Sequence, residues 1–354
     1  MSSHLNPTVE YKTDKLARFA GVPNEHVGVV TIMNHATHKP ELIGPHQAIE
    51  ARNARERFAL ELFDRLWDRY RQRVSYVATY EHIVQSVGAR FFNDHIAFRT
   101  FANQNPMAGI ASLSRLFEAL DYRPAGVYDF EDKHLNAIHY QHPHPEFPKL
   151  FISELKTWEL SDMSRHLIEV AMTNHRPALS SKILWSLATL ADDSPNRTSL
   201  LEQLVEQIES LPWDAPDRSI DEQLNCESQY AAWVHVHRYN ENHVTSLVNS
   251  HEVDSLGSLE QTIAALSAAG VPMKAEIEGE PGSKLRQSAT KAVTIDVAVM
   301  DKGRATTMPW TYAYFELAER NLVIDASTGK AVRFDGFLGA QATNLFEMTR
   351  VAGK

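Results

Sequence analysis

The chain has 354 residues, 43% of them hydrophobic and 23% charged, enough apolar material for a sizeable core. A net charge of −10 without any basic tract argues against nucleic acid as a partner. No apolar run approaches the roughly 20 residues of a membrane helix, and the first residues lack the apolar stretch of a secretory signal.

Cys226 is the only cysteine, against 17 histidines. That excludes a disulfide framework and a thiolate metal site. It also fits a reducing compartment, so the expectation is a cytoplasmic protein. Any metal must then be held by imidazole and carboxylate, which suit iron, manganese, nickel or zinc.

Residues 1–50 are polar and aperiodic and read as an arm, its histidines (His4, His26, His35, His38, His46) as solvated loop residues. A single domain is expected over 51–350. From Glu50 a helix begins, with Phe58, Leu62, Leu66, Tyr70 and Val74 at i,i+4 and Phe63 and Trp67 widening the stripe. A short helix follows over 79–87. Then comes a strand, Asp94-His-Ile-Ala-Phe-Arg-Thr-Phe101, a helix over 111–120 and an extended stretch at 127–130.

The same order returns later. A strand begins at Asn242-His-Val-Thr245, and a helix over 258–269 opens with a Ser258/Gln261 capping box and closes at Gly270. An extended stretch follows at 271–277. The two strand histidines, His95 and His243, are 148 residues apart. Each half closes with an apolar strand carrying one glutamate, Glu154 in the first and Glu316 in the second. These are the marks of an internal duplication. The expected architecture is α+β: two βαβββ modules, about 90–156 and 229–350, forming one curved sheet around a cleft. A helical insertion, about 157–228, separates them, and the N-terminal helices precede them.

In that arrangement His95, Glu154, His243 and Glu316 would project toward one point. Two imidazoles and one carboxylate make the facial triad of non-haem Fe(II) oxygenases; a fourth protein ligand suits a closed or Lewis-acid centre. Arg99 stands four residues after His95, on the same face of a strand, where its planar fork suits a carboxylate substrate or a buried acid. Gln287 is a candidate to point inward and bond a carboxylate or an activated oxygen, with an ordinary polar edge strand as the competing reading. Ser288 beside it is a candidate substrate contact. His139, His142 and His144 read as loop residues at an entrance, spread apart by their prolines. His235 and His237 lie on one face of an extended run and are alternative ligands.

Several stretches together resemble the 2-oxoadipate dioxygenase/decarboxylase family, whose members are also called 2-hydroxyglutarate synthases. They are Leu66-Trp-Asp-Arg-Tyr-Arg-Gln-Arg-Val74, Asp94-His-Ile-Ala-Phe-Arg-Thr-Phe101, Pro148-Lys-Leu-Phe-Ile-Ser-Glu-Leu155, Asn242-His-Val-Thr245, Leu285-Arg-Gln-Ser-Ala-Thr290 and Tyr314-Phe-Glu-Leu-Ala-Glu-Arg320. The resemblance runs over about residues 58–349. It implies a fold related to the vicinal oxygen chelate superfamily, with Fe(II) held by His95, His243 and Glu316. It also implies that Arg99 holds the distal carboxylate of a 2-oxo diacid, and it moves Glu154 to a supporting position behind a ligand or water. The implied reaction takes a 2-oxoadipate-like acid and O2 to a 2-hydroxyglutarate-like acid and CO2. Residues 338–344 match the family's C-terminal segment poorly. Two alternatives remain at this point. One is a glyoxalase-type isomerase or lyase with Glu154 as fourth ligand to zinc or nickel. The other is a non-catalytic binder of small acids on the same fold.

Overall fold

The computed structural model describes residues 44–103, 106–175, 179–209, 213–339 and 349. The chain is α+β, built on one curled seven-stranded sheet, a half-barrel. Two helices come first. α1 (Ala54–Arg73) starts at Asn53, whose side chain accepts a hydrogen bond from the Glu56 amide, and ends with Arg71 and Arg73 in its last turn. Phe58, Leu62, Phe63, Leu66 and Tyr70 form its buried stripe, each contributing roughly 1.5–3 kcal/mol by burial. α2 (Tyr76–Ser86) follows. Both helices pack on the back of the sheet, where Trp67 and Tyr80 meet the Phe315 ring at centroid distances of 6.4 and 4.7 Å.

The first module runs β1 (Asn93–Ala102), α3 (Ile110–Glu118), β2 (Arg123–Phe130), β3 (Leu135–Gln141) and β4 (Lys149–Lys156). The insertion contributes α4 (Asp162–Met172), α5 (Ser181–Ala188), α6 (Arg197–Glu209) and α7 (Arg218–Glu227), and α8 (Gln229–His237) leads from it into the second module. The second module runs β5 (Glu241–Leu247), α9 (Leu259–Ala268), β6 (Leu285–Ala289), a hairpin of β7 (Thr294–Asp301) and β8 (Arg304–Thr311), and β9 (Tyr314–Arg320). A small ribbon, β10 (Leu322–Ile324) and β11 (Ala331–Arg333), is the last pair of strands among the described residues. Ser258 caps α9 by accepting from the Gln261 amide, and Gly270 leaves it with φ of 83°.

The sheet order is β2-β3-β4-β1-β5-β9-β6. β1 pairs in parallel with β4, and β5 in parallel with β9, while β1 and β5 join the two modules as an antiparallel seam. The half-sheets are thus related by a pseudo-twofold axis through the seam. The β1–β5 register slips between Asn93 and His95 and again between Ala97 and Phe98. Such bulges re-aim side chains.

Three expectations need correction. Residues 271–277 run extended beside β6 but form no ladder strand of the sheet: isolated bridges join Met273 to Thr290 and, just beyond, Glu278 to Gln287, and the Lys274 amide donates to the Ala289 carbonyl at 2.8 Å. Pro272 has no amide for a ladder there. The run holding His235 and His237 is not extended but is helix α8, buried on every side. A helix apolar all round has no 3.6-residue stripe to betray it, and its Tyr, Trp and Val content mimics a strand. His46 is not solvated: it is 1% exposed and bridges Asp64 and Asn93. The other arm histidines named above lie outside the described residues.

Candidate metal centre

The concave face of the seam gathers the chemistry. Across it, His95 on β1 stands level with Thr245 on β5, and Thr245 with Glu316 on β9. His243 lies two residues from Thr245 on the same face, as the two-residue period of a strand requires. His95 Nε2 and His243 Nε2 are 3.3 Å apart. Glu316 Oε1 is 3.4 Å from His95 Nε2, and Oε2 is 3.5 Å from His243 Nε2. All three ligand atoms lie within 4.8 Å of one another.

The far side of each ring is held. His95 Nδ1 is 2.8 Å from Asp94 Oδ2, and His243 Nδ1 is 3.1 Å from Asn242 Oδ1. Both partners are acceptors, so the protons sit on Nδ1 and the two Nε2 lone pairs face the shared point. Thr245 Oγ1 lies 3.0 Å from His95 Nε2. Gln287 Nε2 donates to Glu316 Oε1 at 2.6 Å. Tyr314 stacks on His243 with 4.8 Å between centroids.

The electrostatics follow from burial. Glu316 is pushed up to about 8, chiefly by burial and further by Glu278 and Asp94, although Gln287 pulls the other way. Burial lowers His95, with Asp94 opposing, and holds His243 well below its usual range, helped by His95 and Arg99. Asp94 is buried too, yet Arg320 and Lys149 keep it well below the usual carboxylate range. Two neutral imidazoles therefore aim lone pairs at each other, beside Glu316 Oε2, which has no hydrogen-bond partner among the described residues. Facing acceptors and an orphaned buried carboxylate oxygen fit a divalent cation between them.

A narrow cleft opens over these groups; Ala97, Phe98, Phe151, Ser153, Phe337 and Leu338 are among its walls. Arg99 lies at one end, 2% exposed, its guanidinium 5.0 Å from the Tyr230 ring and 5.2 Å from the Trp233 ring, both on α8. Its Nη1 donates to Thr349 Oγ1 at 2.7 Å. Helix α8 thus supports Arg99 at the end of the cleft.

Not every sequence candidate arrives here. Glu154 points to the other face, where its Oε2 accepts the Ile110 amide at 2.8 Å and caps α3. The register explains this: His95 pairs with Lys149, so odd-numbered residues of β4 share the cleft face, and Glu154 pairs with Thr100 on the reverse. The position symmetric to Glu316 is Phe151. Ser288 also faces away, paired with Leu317, its hydroxyl donating to the Glu276 carbonyl at 3.4 Å. His235 bonds Asp221, and His237 the Thr311 carbonyl. His139 sits on β3 rather than in a loop, 2.9 Å from Tyr128 Oη. Asp94 and Asn242 are supporting groups the sequence reading did not single out, although a polar residue before each histidine is itself part of the duplication.

A family model described as 2-oxoadipate dioxygenase/decarboxylase matches residues 62–348. The chain belongs to the 2-oxoadipate dioxygenase/decarboxylase family. Two curated members are similar to it. The chloroplastic 2-oxoadipate dioxygenase/decarboxylase of Arabidopsis thaliana is 28% identical over 277 residues, covering 72% of this chain and 67% of that protein. The chloroplastic/amyloplastic enzyme of Oryza sativa subsp. japonica is also 28% identical, covering 72% and 68%. Among solved structures, the hydroxyglutarate synthase of Oryza sativa in complex with 2-oxoadipate superposes with a TM-score of 0.67 at 25% identity, covering 86% of this chain and 97% of that one. A putative glyoxalase superfamily protein of Ralstonia eutropha JMP134 gives a TM-score of 0.69 at 23% identity, covering 80% and 87%, and shows the shared fold. Among the described residues no helix is long and apolar enough to cross a membrane.

Proposed function

We propose that the protein is an Fe(II)-dependent dioxygenase/decarboxylase of a 2-oxo diacid of 2-oxoadipate type. The observation that carries this reading is the convergence of His95, His243 and Glu316 on one buried point, with Arg99 at the end of the same cleft. Two imidazoles and one carboxylate leave positions open for substrate and O2. When bound, Fe(II) supplies the open coordination positions for the 2-oxo acid and O2 and the redox chemistry of decarboxylation.

The chain's own groups do the rest. Gln287, Asp94 and Asn242 fix the orientation of the three ligands. Arg99, held between Tyr230 and Trp233, takes the distal carboxylate and sets the substrate's reach from the metal. Phe151, Tyr314 and Phe337 keep the cleft apolar and exclude water from the oxidising step. The balance closes without another reductant: 2-oxoadipate and O2 give 2-hydroxyglutarate and CO2. We further propose a reducing compartment, the cytoplasm, from the single exposed thiol of Cys226.

Oxygen consumption by the Fe(II)-loaded protein, with ascorbate and a panel of 2-oxo acids, tests the reading. Uptake with stoichiometric CO2 release from a 2-oxo diacid is expected. No uptake with any 2-oxo acid refutes it. The glyoxalase-type alternative loses its support, because its fourth ligand, Glu154, is committed to capping α3.

A further inference from the structure

Arg320 is 1% exposed and stands four residues after Glu316 on β9, on the same face of the strand. β9 runs antiparallel to β1, so Arg99 and Arg320 occupy opposite ends of the cleft, with the candidate ligands between them. The Arg320 fork makes two separate grips. Nε and Nη2 donate to Asp94 Oδ1 and Oδ2 at 2.7 and 2.8 Å, and Asp94 in turn holds His95 Nδ1. Nη1 donates to the Gly336 carbonyl at 2.6 Å, and the guanidinium lies 5.1 Å from the Phe337 ring.

Residues 334–338 form a strap over this end of the cleft. Its Phe337 ring sits edge-on to His95 at 4.9 Å and packs on Phe151 at 5.0 Å. The strap has a second fastening of its own: Asp335 takes Lys149 at 2.6 Å and Gln141 at 2.8 Å. The Phe337 amide donates to Tyr128 Oη at 3.3 Å.

We infer that Arg320 is a positioning residue that ties closure of the strap to the setting of His95. The inference rests on the metal site proposed above. One planar cation spans both partners, so displacing either grip moves the group that serves the other. Seating a cation on His95 steadies Asp94 and Arg320 and thereby fastens Gly336 and Phe337. By linkage, a loosened strap weakens the cation.

Co2+ is the probe, read by its binding isotherm and by hydrogen exchange of the Phe337 amide, neither of which needs turnover. In the wild-type chain Co2+ slows Phe337 exchange severalfold. Arg320→Lys keeps a charge for Asp94 but lacks the fork to reach Gly336 as well. It binds Co2+ about 10- to 100-fold more weakly, the range for a lost group behind a ligand, and Co2+ no longer slows Phe337 exchange. Asp335→Asn touches neither Asp94 nor a ligand. It weakens Co2+ severalfold in the wild-type background and has no effect in the Arg320→Lys background. The lost carboxylate charge acting through space would weaken Co2+ equally in both backgrounds, and that result overturns the tie. So does Phe337 exchange indifferent to Co2+ in the wild type, a measurement that needs no variant. Co2+ binding without these couplings refutes the tie alone. No Co2+ binding by the wild type refutes the metal site and the tie together.

Discussion

At the metal site proposed above, Glu316 should make cation binding a proton-releasing event. Burial pushes its carboxyl up to about 8, so in the metal-free protein at pH 7 it is mostly protonated. His95 and His243 are lowered and already neutral there, with nothing to release. A divalent cation must displace the Glu316 proton, so apparent affinity rises with pH by about tenfold, or 1.4 kcal/mol, per unit below 8 and levels off above it. Between pH 6.5 and 8 the ionised fraction grows about 15-fold, or roughly 1.6 kcal/mol. Calorimetric titration with Co2+ in buffers of different ionisation enthalpy counts the protons. About 0.9 should be released per cation at pH 7 and about 0.1 at pH 9, following the titration of one group. Glu316→Gln should bind weakly and release none. Release near zero at pH 7 in the wild type, or near two, would refute the assignment of a single protonated carboxyl between two neutral imidazoles.

His243→Ala should lose stoichiometric metal while the far-UV circular dichroism is unchanged; full occupancy removes His243 from the site. Arg99→Ala should keep metal but raise KM for a 2-oxo diacid about 10- to 150-fold more than for a 2-oxo monoacid, the worth of a charge-assisted anchor of roughly 1.5–3 kcal/mol; an equal rise for both denies the anchor. Glu241 is 1% exposed, neither carboxylate oxygen has a hydrogen-bond partner among the described residues, and burial, with Glu209 nearby, pushes its carboxyl up. The folded state therefore keeps a proton that the unfolded chain releases above about pH 4.3, and stability from this group falls as pH rises above that value. Glu241→Gln should gain on the wild type as pH rises from about 5 to about 7.5 in denaturant titrations, and parallel curves would refute this. Glu154→Ala should cost about 1 kcal/mol of stability as a lost helix cap, with kcat/KM within about twofold of wild type; a large kinetic loss would return Glu154 to the site.

What could be read in advance was local. His95 and Arg99 share one strand, and a period of two places them together whatever the partner strands do. The capping box at Ser258 and the α1 stripe are likewise contained in a few residues. Glu154 shows where such reading stops. Its strand was expected, but the face it presents depends on which β4 residue lies beside His95, and a shift of one residue reverses every side chain. That register is a property of the assembled sheet. α8 was misread because burial on all sides leaves no polar face to set a period. The parts played by Arg320, Phe337, Tyr230 and Trp233 were not legible because each reaches its partner at the site through chain that is distant in sequence, and no spacing within one element announces it.

The antiparallel seam of β1 and β5 also bears on how the protein folds. His95 lies on one side of that seam and both His243 and Glu316 on the other, so neither module alone owns a complete set of donors. Residues 157–240 must be spanned before the seam can zip. A flexible connection of roughly eighty residues, in place of about five, costs only about 2.5 kcal/mol of closure entropy, and a connection folded into its own helices costs less. The long connection therefore costs the fold little, and the helix that ends it, α8, carries Tyr230 and Trp233. Docking the two halves is a non-local, slow event. A cation bound at the proposed site would act after that event, as a clasp on an already assembled half-barrel, so it should slow unfolding far more than it speeds folding.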